Sequence, residues 1–261
     1  MDINLQGKNA LVCGSSKGIG KAAAIALAKL GANVTLVARS ATVMGELVEQ
    51  LDDRQGQKHD FLQADFSDST DLKKKITGLT SVKTIHILIN NTGGPPGGPI
   101  VDAKVEEFQQ AFHNHLICNH LLTQAVIKGM KAEGFGRIIN VISTSVKQPI
   151  PGLGVSNTIR GAVANWAKTM AGELGPFGIT VNNVLPGMTS TDRLQSLIDA
   201  NAAKQSTTSE AVSQQMIGEI PAGRFADPEE IAAGIAFLAS PAASYINGIN
   251  LPIDGGRTRS L

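Results

Sequence analysis

Seven short runs of aliphatic and β-branched residues punctuate the chain: N-A-L-V-C (9–13), N-V-T-L-V (33–37), H-D-F-L-Q-A (59–64), I-H-I-L-I (85–89), R-I-I-N-V-I (137–142), I-T-V-N-N-V (179–184) and I-N-L-P-I (249–253). Most are apolar at consecutive positions rather than at alternate ones, the pattern of strands buried on both faces. Between them apolar residues recur with helical period, as in K-A-A-A-I-A-L-A-K-L (21–30) and A-V-A-N-W-A-K-T-M-A-G-E-L (162–174). This alternation predicts an α/β fold: a single doubly wound parallel sheet of seven strands with helices on both faces. No composition break, repeat or linker divides residues 1–261. The one long polar stretch, 188–215, is rich in Ser, Thr and Gln and reads as a substrate lid rather than a packed connector.

Composition narrows the class of partner. Hydrophobic residues make up 42% of the chain and charged residues 17%, as expected of a soluble globular domain. Lysine and arginine total 23 against 22 acidic residues, so no bulk field draws nucleic acid or an anionic membrane to the protein. No apolar run is long enough to span a bilayer, and M-D-I-N-L-Q-G-K lacks the layout of a signal peptide. Cys13 and Cys118 are too few for a disulfide framework and predict a reducing, cytoplasmic setting.

The glycines are more specific. Gly14, Gly18 and Gly20 frame the loop G-S-S-K-G-I-G, directly after the first run and at the start of the first helix. Such a loop lets backbone amides approach a pyrophosphate, with the helix N-terminus adding partial positive charge. Its spacing, G-x-x-x-G-x-G, differs from the general dinucleotide fingerprint, and a tight strand-to-helix turn alone needs similar residues. Two cations sharpen the reading. Lys17 lies inside the loop and Arg39 just past the second run, while no Asp or Glu occurs between Gly31 and Gly45. An acid there would bind a free ribose 2′-hydroxyl, whereas Arg accommodates a 2′-phosphate. Each cation alone reads as a surface charge; together they point to NADP(H) rather than NAD(H).

With these motifs in place the chain resembles the short-chain dehydrogenase/reductase family, particularly bacterial reductases of the β-ketoacyl-carrier-protein type. The likeness runs through G-S-S-K-G-I-G (14–20), A-D-F-S-D (64–68), N-N-T-G (90–93), G-R-I-I-N-V-I-S (136–143), V-N-N-V-L-P-G (181–187), G-R-F-A-D-P-E-E-I-A (223–232) and S-Y-I-N-G-I-N-L-P-I-D-G-G (244–256). It implies a Rossmann-type fold and a carbonyl or alcohol substrate, either free or linked to an acyl carrier. It also implies assembly as a homotetramer or dimer. Ser16 and Ile19 would join the phosphate loop, and Asp65 and Phe66 would flank the adenine. Asn90, Asn91, Thr92 and Gly93 would close the floor beside the nicotinamide ribose, and Pro186, Gly187 and Thr191 would contact the carboxamide and phosphate side.

The resemblance breaks at the reacting end. The family reduces a carbonyl with an Asn, a Ser, a Tyr and a Lys four residues after the Tyr. Ser143 matches the serine, but the tyrosine position is Ser156 and the lysine position Arg160. The asparagine position falls on His115, with Asn114 adjacent, and the single tyrosine, Tyr245, lies in the C-terminal motif. A phenol starts near a pKa of about 10 and an adjacent cation lowers it, while a serine hydroxyl is a far weaker acid. Arg160 can still hold ribose hydroxyls through its fixed fork of donors, but it stays protonated. His115 is the candidate acid, being titratable at the right position; a packing role beneath the site is the alternative. His113, His115 and His120 have no i,i+3 or i,i+4 pair among them, so no metal site is expected. Lys128, Lys131 and Arg137 form a modest basic group that reads either as a carrier-docking patch or as solvated charges. G-G-P-P-G-G-P (93–99) reads either as the rim of a substrate entrance or as a tight connector. Two functions stay open: an NADP(H)-dependent oxidoreductase with altered proton transfer, and a catalytically silent NADP(H)-binding sensor or structural subunit.

Overall fold

The computed structural model describes residues 1–260, and each apolar run forms a strand. These are β1 (Asn9–Cys13), β2 (Asn33–Ala38), β3 (Asp60–Gln63), β4 (Ile87–Asn90), β5 (Gly136–Val141), β6 (Ile179–Pro186) and β7 (Asn250–Ile253). They pair in parallel in the order β3-β2-β1-β4-β5-β6-β7. Successive side chains feed opposite faces: Ala10 and Val12 join one core, Leu11 and Cys13 the other. The first core is closed by α1 (Gly18–Lys29), α2 (Ala41–Val48) and α9 (Pro228–Ala239), the second by α3 (Ser69–Val82), α5 (Cys118–Glu133) and α6 (Gly154–Leu174). Burying each Val, Leu or Ile contributes about 1.5–3 kcal/mol, so two filled faces are what fix a sheet of unalternating strands.

Four asparagines interrupt the apolar strands at matched register. Asn90, Asn140, Asn183 and Asn250 stand side by side across β4, β5, β6 and β7. Each carboxamide donates to the next, Asn90 to Asn140 at 2.9 Å, Asn140 to Asn183 at 2.9 Å and Asn183 to Asn250 at 2.8 Å. A buried amide alone would be costly; in the row each amide donates to the next, and Asn90 Oδ1 at its end is left without a partner.

Three elements differ from the sequence expectation. The helix expected at 162–174 begins two turns earlier, at Gly154. The polar stretch 188–215, read as a lid, is helical and borders the cleft. It folds into α7 (Asp192–Gln205) and α8 (Ser209–Gly218), whose Leu194, Ile198, Ala202, Val212 and Met216 form a small core of their own. The helical period was hidden by the Ser, Thr and Gln between those residues. Arg137 is no surface charge: it is 3% exposed, lies 4.2 Å over the Phe135 ring, and donates to the carbonyls of Gly136 (2.8 Å), Gly178 (3.3 Å) and Ser240 (3.4 Å). That correction removes it from any docking patch. Among the described residues no helix is long and apolar enough to cross a membrane.

Candidate active site

The strand order reverses between β1 and β4, and loops leaving the carboxyl ends of the strands part there around a cleft of about 1470 Å³. Ser16, Lys17, Ile19, Arg39, Asp65, Phe66, Pro186, Gly187 and Thr191 all line it. So do Gly14, Gly18, Asn91 and Gly93. Gly20 does not line the cleft but shapes it from beneath. A methyl group on Gly20 would collide with the Gly14 carbonyl, and one on Gly14 would lie 2.6 Å from the Asn91 carbonyl oxygen. Asn91 Nδ2 donates to the Cys13 and Gly14 carbonyls, each at 3.3 Å, and so pins the loop to β4. Helix α1 starts there with no side-chain cap and no acid in its first turn. Its first amides are free for an anion, the donor set a pyrophosphate requires.

Lys17 Nζ lies 2.8 Å from Asp192 Oδ2, an ion pair between the phosphate loop and the first residue of α7. Asp65 is held below its ordinary pKa, chiefly by hydrogen bonds from Ser67 and to a lesser degree by the nearby Arg39 charge.

At the other end Ser143 leaves β5 and accepts from the Ser145 amide at 3.1 Å. Ser156 and Arg160 stand one turn apart on α6, and all three line the cleft. Arg160 is 7% exposed; its Nη1 donates to the Val141 carbonyl at 3.1 Å, and its Nε has no partner. Burial first, and then the neighbouring Arg193 charge, lower its pKa to about 10, so it is cationic at neutral pH.

His115 is a correction. Helix α4 (Val105–Phe112) passes into α5 through a π-turn at His113–Ile117, whose wider spiral turns His115 inward and leaves Asn114 on the cleft wall. His115 is 2% exposed and its Nδ1 hydrogen-bonds Thr92 Oγ1 at 2.5 Å. Burial, reinforced by the Arg160 and Arg193 charges, drives its pKa down to about 2. A neutral imidazole at pH 7 is no proton donor, and the side chain braces Thr92 from below. His120 accepts from Trp166 Nε1 at 3.4 Å, far from a ligand role. Among the described residues no three His, Cys, Asp or Glu side chains group to hold a metal.

Gly93 and Gly94 of the 93–99 segment line the cleft, and the rest of the segment is tied to its neighbours through the backbone. Gly98 bonds the backbone at Gly152 (2.7 Å) and Gly154 (3.2 Å), and Arg193 of α7 donates to the carbonyls of Gly94 (3.1 Å) and Pro95 (2.7 Å). Sequence reasoning placed Thr92 in the N-N-T-G floor but missed Asp192 and Arg193. Arg193 had one visible signal: it is the single arginine in 188–215.

Comparison with known proteins agrees with this geometry. Residues 14–258 match a family model described as enoyl-(acyl carrier protein) reductase. The chain is 34% identical to the 3-oxoacyl-[acyl-carrier-protein] reductase of Vibrio cholerae over 97% of its own length and 98% of that protein's. It is 32% identical to the gluconate 5-dehydrogenase of Gluconobacter oxydans, covering 99% and 97% of the two chains. The L-sorbose reductase of Gluconobacter frateurii, solved with NADPH and L-sorbose, superposes with a TM-score of 0.93 at 30% identity over 100% of both chains.

Proposed function

The chain belongs to the short-chain dehydrogenase/reductase family, and from that premise we propose that it exchanges hydride between NADP(H) and a carbonyl or alcohol substrate, with proton transfer altered at Ser156 and Arg160. The observation that carries the reading is one continuous cleft running from the uncapped N-terminus of α1 to Ser143, Ser156 and Arg160. Solved relatives with NADPH or NADP bound support the choice of cofactor. Lys17 and Arg39 would take the 2′-phosphate, the Gly14–Gly20 loop the pyrophosphate, and Arg160 the nicotinamide ribose.

Bound NADPH would supply the hydride. The hydroxyls of Ser143 and Ser156 would hydrogen-bond the carbonyl oxygen and fix its direction. Neither serine nor Arg160 releases a proton readily near neutral pH, and His115 is already neutral. A proton taken from bulk solvent and relayed by water through the serine hydroxyls would therefore complete the alcohol, with no charge left behind in the site. Exposed Val101, Val105, Phe112 and Ile117, on and beside α4, support a homodimer or homotetramer joined through this face. Two buried free thiols, Cys13 and Cys118, fit a reducing cytoplasm.

The test is NADPH fluorescence titration followed by turnover on a carbonyl panel from pH 6 to 9. Tight binding and a reduction rate with no histidine-like step are expected. A rate that falls away with an apparent pKa near 6.5 would refute the water route. Tight binding with no turnover on any substrate would assign the chain to the silent-subunit reading.

A further inference from the structure

Beside Gly94 the cleft holds two positive charges with no negative one opposite. A methyl group on Gly94 would lie 3.3 Å from Arg193 Nη2 and 3.7 Å from Arg160 Nη2, so both guanidinium heads converge on one point. Neither forms an ion pair with a carboxylate among the described residues. Arg54, Arg224 and Arg257, by contrast, pair with Asp52, Glu230 and Glu219. Asp192, next to Arg193 in sequence, is turned instead to Lys17. Arg193 has two of its N–H groups committed to the carbonyls of Gly94 and Pro95, which leaves its other donors free. Arg160 is more than nine-tenths buried, and its Nε lacks any partner. An anion placed between the two guanidinium heads would offset their repulsion and neutralise the buried Arg160 charge. Ser156 sits one helical turn from Arg160, so an anion held here lies next to the serine hydroxyls that would receive the carbonyl oxygen.

We propose that Arg160 and Arg193 together bind a carboxylate of the substrate, which makes the substrate class small oxo acids and their hydroxy acid products. The inference rests on the oxidoreductase reading of this cleft. It narrows that reading from carbonyl compounds at large to those with a carboxylate close to the reacting carbon. A planar carboxylate matches the guanidinium fork, which donates two parallel hydrogen bonds.

The test is calorimetric and pairs hydroxy acids with NADPH, which cannot oxidise them, so its outcome does not depend on turnover. The full chain, saturated with NADPH, is titrated with 2-hydroxybutyrate, 3-hydroxybutyrate and tartrate, each set against its neutral amide. At least one carboxylate should bind tenfold or more tightly than its amide. R193A should weaken that carboxylate at least tenfold while changing NADPH affinity less than twofold, and R193K should recover part of the loss. Circular dichroism melts of both variants confirm that they fold. Equal binding of acid and amide, or no binding of any carboxylate at millimolar concentration, would overturn the proposal. So would an R193A defect that falls equally on NADPH, which would assign the pair to the cofactor, or equal competition by inorganic phosphate, which would leave a general anion site. If carboxylates bind as expected and no substrate turns over, the carboxylate site stands and the hydride-transfer reading fails.

Discussion

Replacing Asn140 by alanine tests how much of this fold depends on its buried amide ladder. Asn140 has no exposed surface, accepts from Asn90 Nδ2 at 2.9 Å and donates to Asn183 Oδ1 at 2.9 Å. Asn90 Oδ1 is already without a partner, so N140A strands the whole Asn90 carboxamide. Asn183 loses one bond and keeps its bond to Asn250 at 2.8 Å. Each stranded buried group costs about 1–3 kcal/mol. With a small cavity added, and water able to refill part of it, the total is about 3–5 kcal/mol. N250A, at the half-buried end of the row, strands a single amide and should cost about 1–2 kcal/mol. Urea unfolding followed by circular dichroism at one fixed protein concentration reads both values, the fixed concentration keeping any subunit association constant. The N90A/N140A double variant supplies the internal control. It removes the stranded partner as well, so it should cost less than the two single costs added together. Asn91 follows Asn90 directly and pins the phosphate loop, so N140A should also weaken NADPH binding several-fold. The reasoning is refuted if N140A costs no more than N250A, or if the two single changes simply add.

Two further outcomes follow from charge. R39A should weaken NADPH about tenfold or more and leave NADH unchanged, as loss of a charge-assisted phosphate contact requires; D192N, by freeing Lys17, should strengthen NADPH a few-fold. Titration of both cofactors with each variant checks this, and equal effects on NADPH and NADH would remove the 2′-phosphate assignment. His115 sets a pH dependence of stability with a defined sign. Its folded pKa, about 2, lies below the unfolded value of about 6.5, so the unfolded chain binds the extra proton and stability falls as pH drops below 6.5. The loss should reach about 2 kcal/mol at pH 5 and should shrink in H115N, read from urea midpoints between pH 5 and 8. A midpoint in wild type that is flat over this range would contradict the buried neutral imidazole.

The chain's local patterns determined the sheet. Runs apolar at successive positions can be satisfied only between two layers of helices, and the G-S-S-K-G-I-G turn is a local geometry that glycine permits. The cofactor half of the cleft was legible for the same reason, because its residues sit in loops directly after strands, and strand order in a doubly wound sheet brings those loops together. Tertiary structure alone decided which neighbour reached the cleft and which was buried. His115 and Asn114 are adjacent in sequence, and the π-turn at His113–Ile117 sends one inward and the other outward. Arg137 looked like a surface cation until the backbone carbonyls of three separate segments closed around it. Arg193 reaches Gly94 across 99 positions, and the four asparagines meet only because their strands share a register. Each of these outcomes depends on where distant backbone comes to rest, and local periodicity carries no information about contacts of that kind.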